Sequence, residues 1–206
     1  MSAVAAPLTV ISTNALPEPI FRLSVAQYRQ MIEHGILAED DPVELLEGYL
    51  VEKMPKNRAH SYTTQATRDA VAAALALAPD WFIDVQEPIE TEDSEPEPDL
   101  SVVRGNRKKF ARRLPRAKDL GMLVEVAESS LQRDRGFKKR LYAAARVAIY
   151  WIVNLRERQV EVYTLPTGPG KKPDYRRRHD FAANEEVPLV LDGVEVGRIV
   201  VKDILP

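Results

Sequence analysis

Between Leu120 and Ala127 the chain reads Leu-Gly-Met-Leu-Val-Glu-Val-Ala, an apolar run interrupted by a single carboxylate. A run of this length without polar alternation predicts a strand covered on both faces, and so a sheet with chain packed against either side of it. Glu125 stands inside that strand. An ionised carboxylate taken out of water is destabilising by several kcal/mol unless something compensates it. Glu125 therefore requires a partner: a lysine or arginine in an internal ion pair, or a metal ion.

The segments around this strand supply the rest of an α/β (α+β) domain. Ser24 precedes Val25, Tyr28, Met31 and Ile32 at helical spacing, with Gly35 as the stop. Val43–Lys53 reads as a hairpin turning at Glu47-Gly48. His60–Ala78 carries Ala66, Ala70, Val71, Ala74 and Leu75 on one helical face and ends at Pro79. Strands are predicted at Trp81–Ile89 and Asp99–Val103, separated by an acidic, proline-broken turn over Thr91–Pro98. A helix over Asp134–Arg146 and a hairpin of Ala148–Val153 with Gln159–Leu165 follow the Glu125 strand. The last part, 167–206, reads as a β-rich extension: a Gly/Pro/Lys-rich linker, then short strands at Val187–Leu191 and Val194–Val201. Residues 1–20 read as a loosely ordered arm and 21–206 as one domain, a size that one core can serve.

Composition narrows the function classes. No cysteine occurs among the 206 residues, which excludes disulfides, thiolate zinc sites and a cysteine nucleophile and fits a reducing compartment. The N-terminus lacks the basic region and compact apolar core of a signal peptide, and Ala70–Pro79 is far short of the ~20 apolar residues a membrane span requires. A cytoplasmic protein with no membrane partner is expected. The net charge of -2 exerts no global pull on nucleic acid, so any such attraction has to be local.

A second carboxylate, Asp99, opens the strand Asp99–Val103 directly after Pro98. It is either a turn carboxylate or half of a pair with Glu125. Two carboxylates at the ends of adjacent strands are the hard oxygen ligands that Mg²⁺ or Mn²⁺ takes. Lys138 lies on the following helix, one turn before Tyr142 at the edge of its apolar stripe. It is either a solvated helix lysine or an ammonium held beside the metal site.

These pieces, in this order, resemble the PD-(D/E)XK nucleases, and in particular the Uma-two family of restriction endonucleases. The matching residues run from Leu23-Ser24 and Tyr28 through Glu44-Leu45-Leu46-Glu47-Gly48, His60 and Glu97-Pro98-Asp99-Leu100. They continue with Leu123-Val124-Glu125-Val126, Asp134-Arg135-Gly136 with Lys138 and Tyr142, and Tyr150-Trp151-Ile152-Val153. The resemblance spans Phe21 to Leu165 and implies a restriction-endonuclease-like mixed sheet flanked by helices. It also implies that Asp99 and Glu125 are metal ligands, Lys138 the catalytic lysine, Glu44 a further acidic site residue and His60 a site neighbour. One departure stands out: the third position of the E-x-K element is Ala127, so the lysine would come from the helix.

Between Arg104 and Lys118 the chain is strongly basic and carries no acid. Arg104, Arg107, Lys108, Lys109, Arg112 and Arg113 are therefore expected to contact nucleic-acid phosphates near the mouth of the site. The leading reading is a Mg²⁺- or Mn²⁺-dependent DNA endonuclease. A catalytically silent module with the same fold, binding nucleic acid or a protein complex, and a phosphoesterase for small nucleotides are the alternatives. Restriction-type cutting of both strands implies a homodimer, with Trp81, Tyr163 or the β-rich tail as the contact.

Overall fold

The computed structural model describes residues 20–38 and 40–206, so the arm expected at 1–20 lies outside the described residues except for Ile20. Helix α1 (Val25–Glu33) starts at Ser24, whose side chain accepts from the Gln27 N–H at 3.2 Å while Gln27 accepts from the Ser24 N–H at 2.9 Å. This reciprocal cap satisfies two otherwise orphaned donors. Strands β1 (Val43–Leu46) and β2 (Tyr49–Glu52) form the expected hairpin, with φ of 48° at Glu47 and 78° at Gly48. Glycine is required at the second position. A Cβ there would meet Arg22 Cβ at 2.7 Å and the Leu23 carbonyl at 2.9 Å.

Helix α2 (Arg58–Ala74) begins two residues ahead of His60, because Asn57 caps it by accepting from the His60 N–H at 2.9 Å. Strands β3 (Trp81–Val85), β4 (Leu100–Arg104) and β5 (Leu120–Ala127) follow. Strand β3 ends four residues short of the predicted Ile89, where Gln86 adopts a φ of 56° and breaks the extended run. After β5 come helix α3 (Leu131–Arg133), a π-helical turn (Asp134–Lys138) and helix α4 (Lys139–Ala144). Strands β6 (Ile149–Asn154), β7 (Gln159–Pro166), β8 (Tyr175–Ala182), β9 (Glu186–Leu191) and β10 (Val194–Val200) complete the described chain.

The main sheet has the order β3-β4-β5-β6-β7-β8, antiparallel throughout except for the parallel pair β5–β6. A parallel pair needs a crossover, and the α3–α4 segment provides it. One face of the sheet packs Leu100, Met122, Val124 and Trp151 against Val71 and Leu75 of α2 and against Leu189, Leu191 and Ile199 of β9 and β10. The other packs Leu123, Tyr150 and Ile152 against Leu141 and Tyr142 of α4, with Leu46 and Ile89 beyond. This is the mixed sheet with flanking helices that the sequence implies. Strand β5 is buried along its whole length, and the side-chain alternation places Glu125 on the α4 face.

Two expectations are corrected. The segment Tyr175–Ala182, where the sequence predicts no strand, is the edge strand of the main sheet. Its Arg-Arg-Arg-His-Asp stretch is exposed and has no apolar alternation, because an edge strand can carry charge that blunts further pairing. The later strands β9 and β10, expected from sequence, contribute core side chains to the α2 face. Tyr163, offered as an exposed dimer contact, is buried: its ring packs at 5.8 Å from Tyr150, and its hydroxyl donates to Glu161 at 2.7 Å.

The loop between β4 and β5 is anchored by Asp119. This buried carboxylate accepts from Arg113 at 2.7 and 3.2 Å, from Lys109 at 3.1 Å and from the Arg116 N–H at 3.1 Å. The Arg113 hydrogen bond holds its carboxyl far below the usual range. Solvent reaches Arg113 and Lys109 and screens part of the attraction. Asp119→Asn is therefore expected to lose about 2 kcal/mol, a Tm lower by roughly 4–8 °C at neutral pH. A depressed carboxyl stabilises the fold above its unfolded value, so calorimetry should show the gap between parent and variant narrowing only below pH 3.8.

Candidate active site

At the end of the sheet where β4 begins, five elements converge on one cleft. Glu44 comes from β1, His60 from the first turn of α2, Asp99 from the residue before β4, Glu125 from β5 and Lys138 from the end of the π turn. All five sequence-derived residues line it. The register that pairs Leu100 with Val124 brings Asp99 beside the Glu125-Val126 peptide, and Asp99 Oδ2 accepts from the Val126 N–H at 2.9 Å. His60 Nε2 lies 3.1 Å from the same oxygen, and the Gln86 amide donates to Oδ1 at 3.2 Å. Burial works to raise the Asp99 carboxyl, but the His60 contact, the Val126 N–H and the charge of Lys138 hold it below its ordinary value. Asp99 is ionised at neutral pH.

Glu125 is 4 % exposed, and its Oε1 accepts from Lys138 Nζ at 2.9 Å and from the Tyr142 hydroxyl at 2.6 Å. Burial raises its carboxyl strongly. Lys138 opposes the rise, while the negative charges of Asp134 and Asp99 add to it. Lys138 also lies 3.6 Å from Glu44 Oε2, which accepts the Glu97 N–H at 3.1 Å. Burial disfavours the Lys138 ammonium, yet Glu125, Glu44 and Asp134 together push its pKa above the usual lysine value, so it stays charged.

Asp134 completes the floor. It is 2 % exposed, and its Oδ2 has no hydrogen-bond partner among the described residues. Burial again raises its carboxyl. The π turn from Asp134 to Lys138 presents both end residues to the cleft. Single π turns inside α-helical segments are frequent at functional sites.

Residues 25–197 match the Uma2 family, described as "Putative restriction endonuclease". The chain belongs to the Uma2 family. Among solved structures, this Uma2 chain is similar to one described as a "putative nuclease belonging to DUF820" from Anabaena variabilis. The TM-score is 0.64 at 17 % identity, over 84 % of this chain and 96 % of that one. At that identity the likeness is one of fold. No curated protein sequence matches the Uma2 chain described here.

Restriction-endonuclease-like families generally work with a divalent metal, and the floor of the Uma2 cleft suits one. Its donors are carboxylate oxygens, hard ligands for Mg²⁺ or Mn²⁺. Glu44, Asp99, Glu125 and Asp134 surround one buried ammonium, and one Asp134 oxygen is unpaired. No three histidine or carboxylate side chains among the described residues converge as a ready-made metal cage. Mg²⁺ does not require one, since it is commonly held by one or two carboxylates together with water and substrate phosphates. Asp99 and Glu125 both line that cleft.

Asp134, Gln86 and the positions outside these motifs were not singled out by the sequence as site residues. For Asp134 a signal existed: its i,i+4 spacing to Lys138 puts both on one helical face. The basic segment lies elsewhere. Asp99 precedes β4, whereas Gly105 follows it, roughly 20 Å further along an extended strand. None of Arg104, Arg107, Lys108, Lys109, Arg112 and Arg113 lines the cleft. Arg104 pairs with Asp192, Arg107 with Asp84, and Lys109 and Arg113 with Asp119, while Lys108 and Arg112 are exposed. The expectation that this loop rises at the mouth of the site is therefore corrected: a loop leaving the C-terminal end of a strand emerges opposite a residue at its N-terminal end.

Proposed function

We propose that this Uma2 chain is an endonuclease that hydrolyses phosphodiester bonds in DNA with Mg²⁺ or Mn²⁺ bound at Asp99 and Glu125. The observation that carries the reading is the charge imbalance of the cleft floor, where four carboxylates, none more than 6 % exposed, face the Lys138 ammonium. Such an imbalance is unfavourable in a low-dielectric interior unless protons or a cation offset it. A divalent cation would supply Lewis acidity at the scissile phosphate and make a water more acidic.

The protein's own groups have separate tasks in this reading. Lys138 is fixed by Glu125 and Glu44, so its positive charge is available, without reorganisation, to the negative charge developing on phosphate. The Tyr142 hydroxyl orients Glu125, leaving the second carboxylate oxygen for ligation. His60, Gln86 and the Val126 N–H hold Asp99 in one position and keep it ionised. Residues 21–206 act as one domain, and cutting both strands of a duplex implies a symmetric pair of such chains.

A nuclease-fold module that binds nucleic acid without cutting it is the competing reading, favoured by the lack of three convergent metal ligands among the described residues. Supercoiled plasmid separates the two. Nicked circles that form with Mg²⁺ or Mn²⁺ and not with EDTA support the endonuclease. A folded protein that binds plasmid and leaves it supercoiled with either ion supports the silent module.

A further inference from the structure

The rim of the cleft carries cations distinct from the basic loop at the far end of β4, alongside Glu128, which accepts from Asn57. Two cations that line it, Lys56 and Arg133, form no ion pair among the described residues. Lys56 is exposed on the connection between β2 and α2. Arg133, on α3, is half-buried: one terminal nitrogen donates to the Glu52 carbonyl at 3.0 Å, while its Nε is buried without a partner. Other cations near the cleft are neutralised. Lys53 pairs with Glu97 at 2.5 Å, and Lys138 with Glu125.

A half-buried guanidinium with a donor left over, beside carboxylates it does not touch, is suited to an anion that enters the cleft from outside. Arginine presents its donors in a planar fork that matches phosphate, and the second terminal nitrogen of Arg133, neither hydrogen-bonded nor fully buried among the described residues, is the donor such an anion meets. We infer that Arg133 and Lys56 bind two backbone phosphates of the nucleic acid strand that crosses the cleft, and that the Arg104–Lys118 segment is not the main phosphate-binding surface. The inference rests on the nuclease reading for its substrate. It concerns binding alone, however, and is measured without metal.

The test is the fluorescence anisotropy of a labelled 20-base-pair duplex in EDTA, across a salt series. A protein that neutralises Z phosphates shows a log–log salt slope of about -0.9Z. The double variant Lys56→Ala/Arg133→Gln is expected to bind at least ~10-fold more weakly, with a slope shallower by about 2. Arg133→Lys, which keeps the charge, should retain most of the slope. That separates lost phosphate contact from loosened packing at Glu52, and the melting temperature of each variant checks the fold. Lys108→Ala/Arg112→Ala/Lys118→Ala is expected to shift affinity less than ~3-fold. The inference is overturned if the loop variant flattens the slope and the rim variant does not, or if the parent binds no duplex at low salt. Rim-dependent binding without any nicking would leave this inference standing and overturn only the catalytic reading. Nicking with rim-independent affinity would do the reverse.

Discussion

Glu125→Gln is expected to abolish divalent-dependent nicking, a loss of at least ~100-fold, and at the same time to stabilise the metal-free protein above neutral pH. The activity loss follows from removing one of the two carboxylates proposed to hold the cation, an electrostatic contribution on the order of 10²–10³ in rate. The stability gain follows from the sign of the shift. Burial, with Asp134 and Asp99 nearby, raises the folded Glu125 carboxyl above its unfolded value of 4.5, so the native state keeps a proton that the unfolded chain has already released. Stability in EDTA should therefore fall as pH rises from 4.5, and each pH unit across the window removes about 1.4 kcal/mol. Glutamine, neutral and nearly isosteric, removes that slope. Asp99 does not compete in this range. Its folded value is depressed, so the stability it contributes is lost only as pH falls below 3.8. Thermal melts of parent and variant in EDTA at pH 5 and pH 8 check the prediction: the two should converge at pH 5, with the variant melting higher at pH 8.

Lys138→Met is expected to show the opposite stability effect and the same loss of cutting. Methionine fills nearly the same volume, so packing in the cleft floor survives. The ammonium, however, is the buried positive charge facing Glu125 at 2.9 Å and Glu44 at 3.6 Å. Removing one member of a buried charged cluster is destabilising by ~3–5 kcal/mol, which for a chain of this size lowers Tm by roughly 10 °C. The deficit should be largest at pH 8 and smaller at pH 5, where the raised carboxyl of Glu125 takes up a proton instead. Adding Glu125→Gln to Lys138→Met should restore part of the stability, because the residues share one network and their effects are not additive. Urea titrations of the single and double variants measure that coupling. A Lys138→Met protein as stable as the parent at pH 8 would mean that the carboxylates around it are already protonated.

The site was legible where chemistry conflicted with local pattern. A carboxylate inside the Leu120–Ala127 run could not be left unpaired, and that conflict alone identified Glu125 as functional or ion-paired; the structure gives it Lys138, Tyr142 and a place at the cleft. Lys138 is reached through the family resemblance, which takes the lysine from the helix because Ala127 fills the third position of the E-x-K element. The failures have equally physical causes. Strand β8 carries three consecutive arginines, and alternation is no guide where both faces of an edge strand meet solvent. The basic loop is close to Asp99 in sequence but not in space, because a five-residue strand separates the two ends. Lys56 stands in no recognisable motif, and Arg133 reads from sequence only as one of several scattered further positive charges. They matter through the cleft that folding builds around them.

Whether the carboxylate floor takes a divalent cation decides the function of this cleft. The most direct measurement is a Mn²⁺ titration followed by electron paramagnetic resonance of the free ion, on the parent, Asp99→Asn and Glu125→Gln, each with and without a short duplex. Binding by the parent that is lost in both variants, and that weakens as pH falls and Glu125 takes up its proton, is the predicted result. A folded parent that binds no Mn²⁺ even with duplex present, or variants that bind it as well as the parent, would contradict the account.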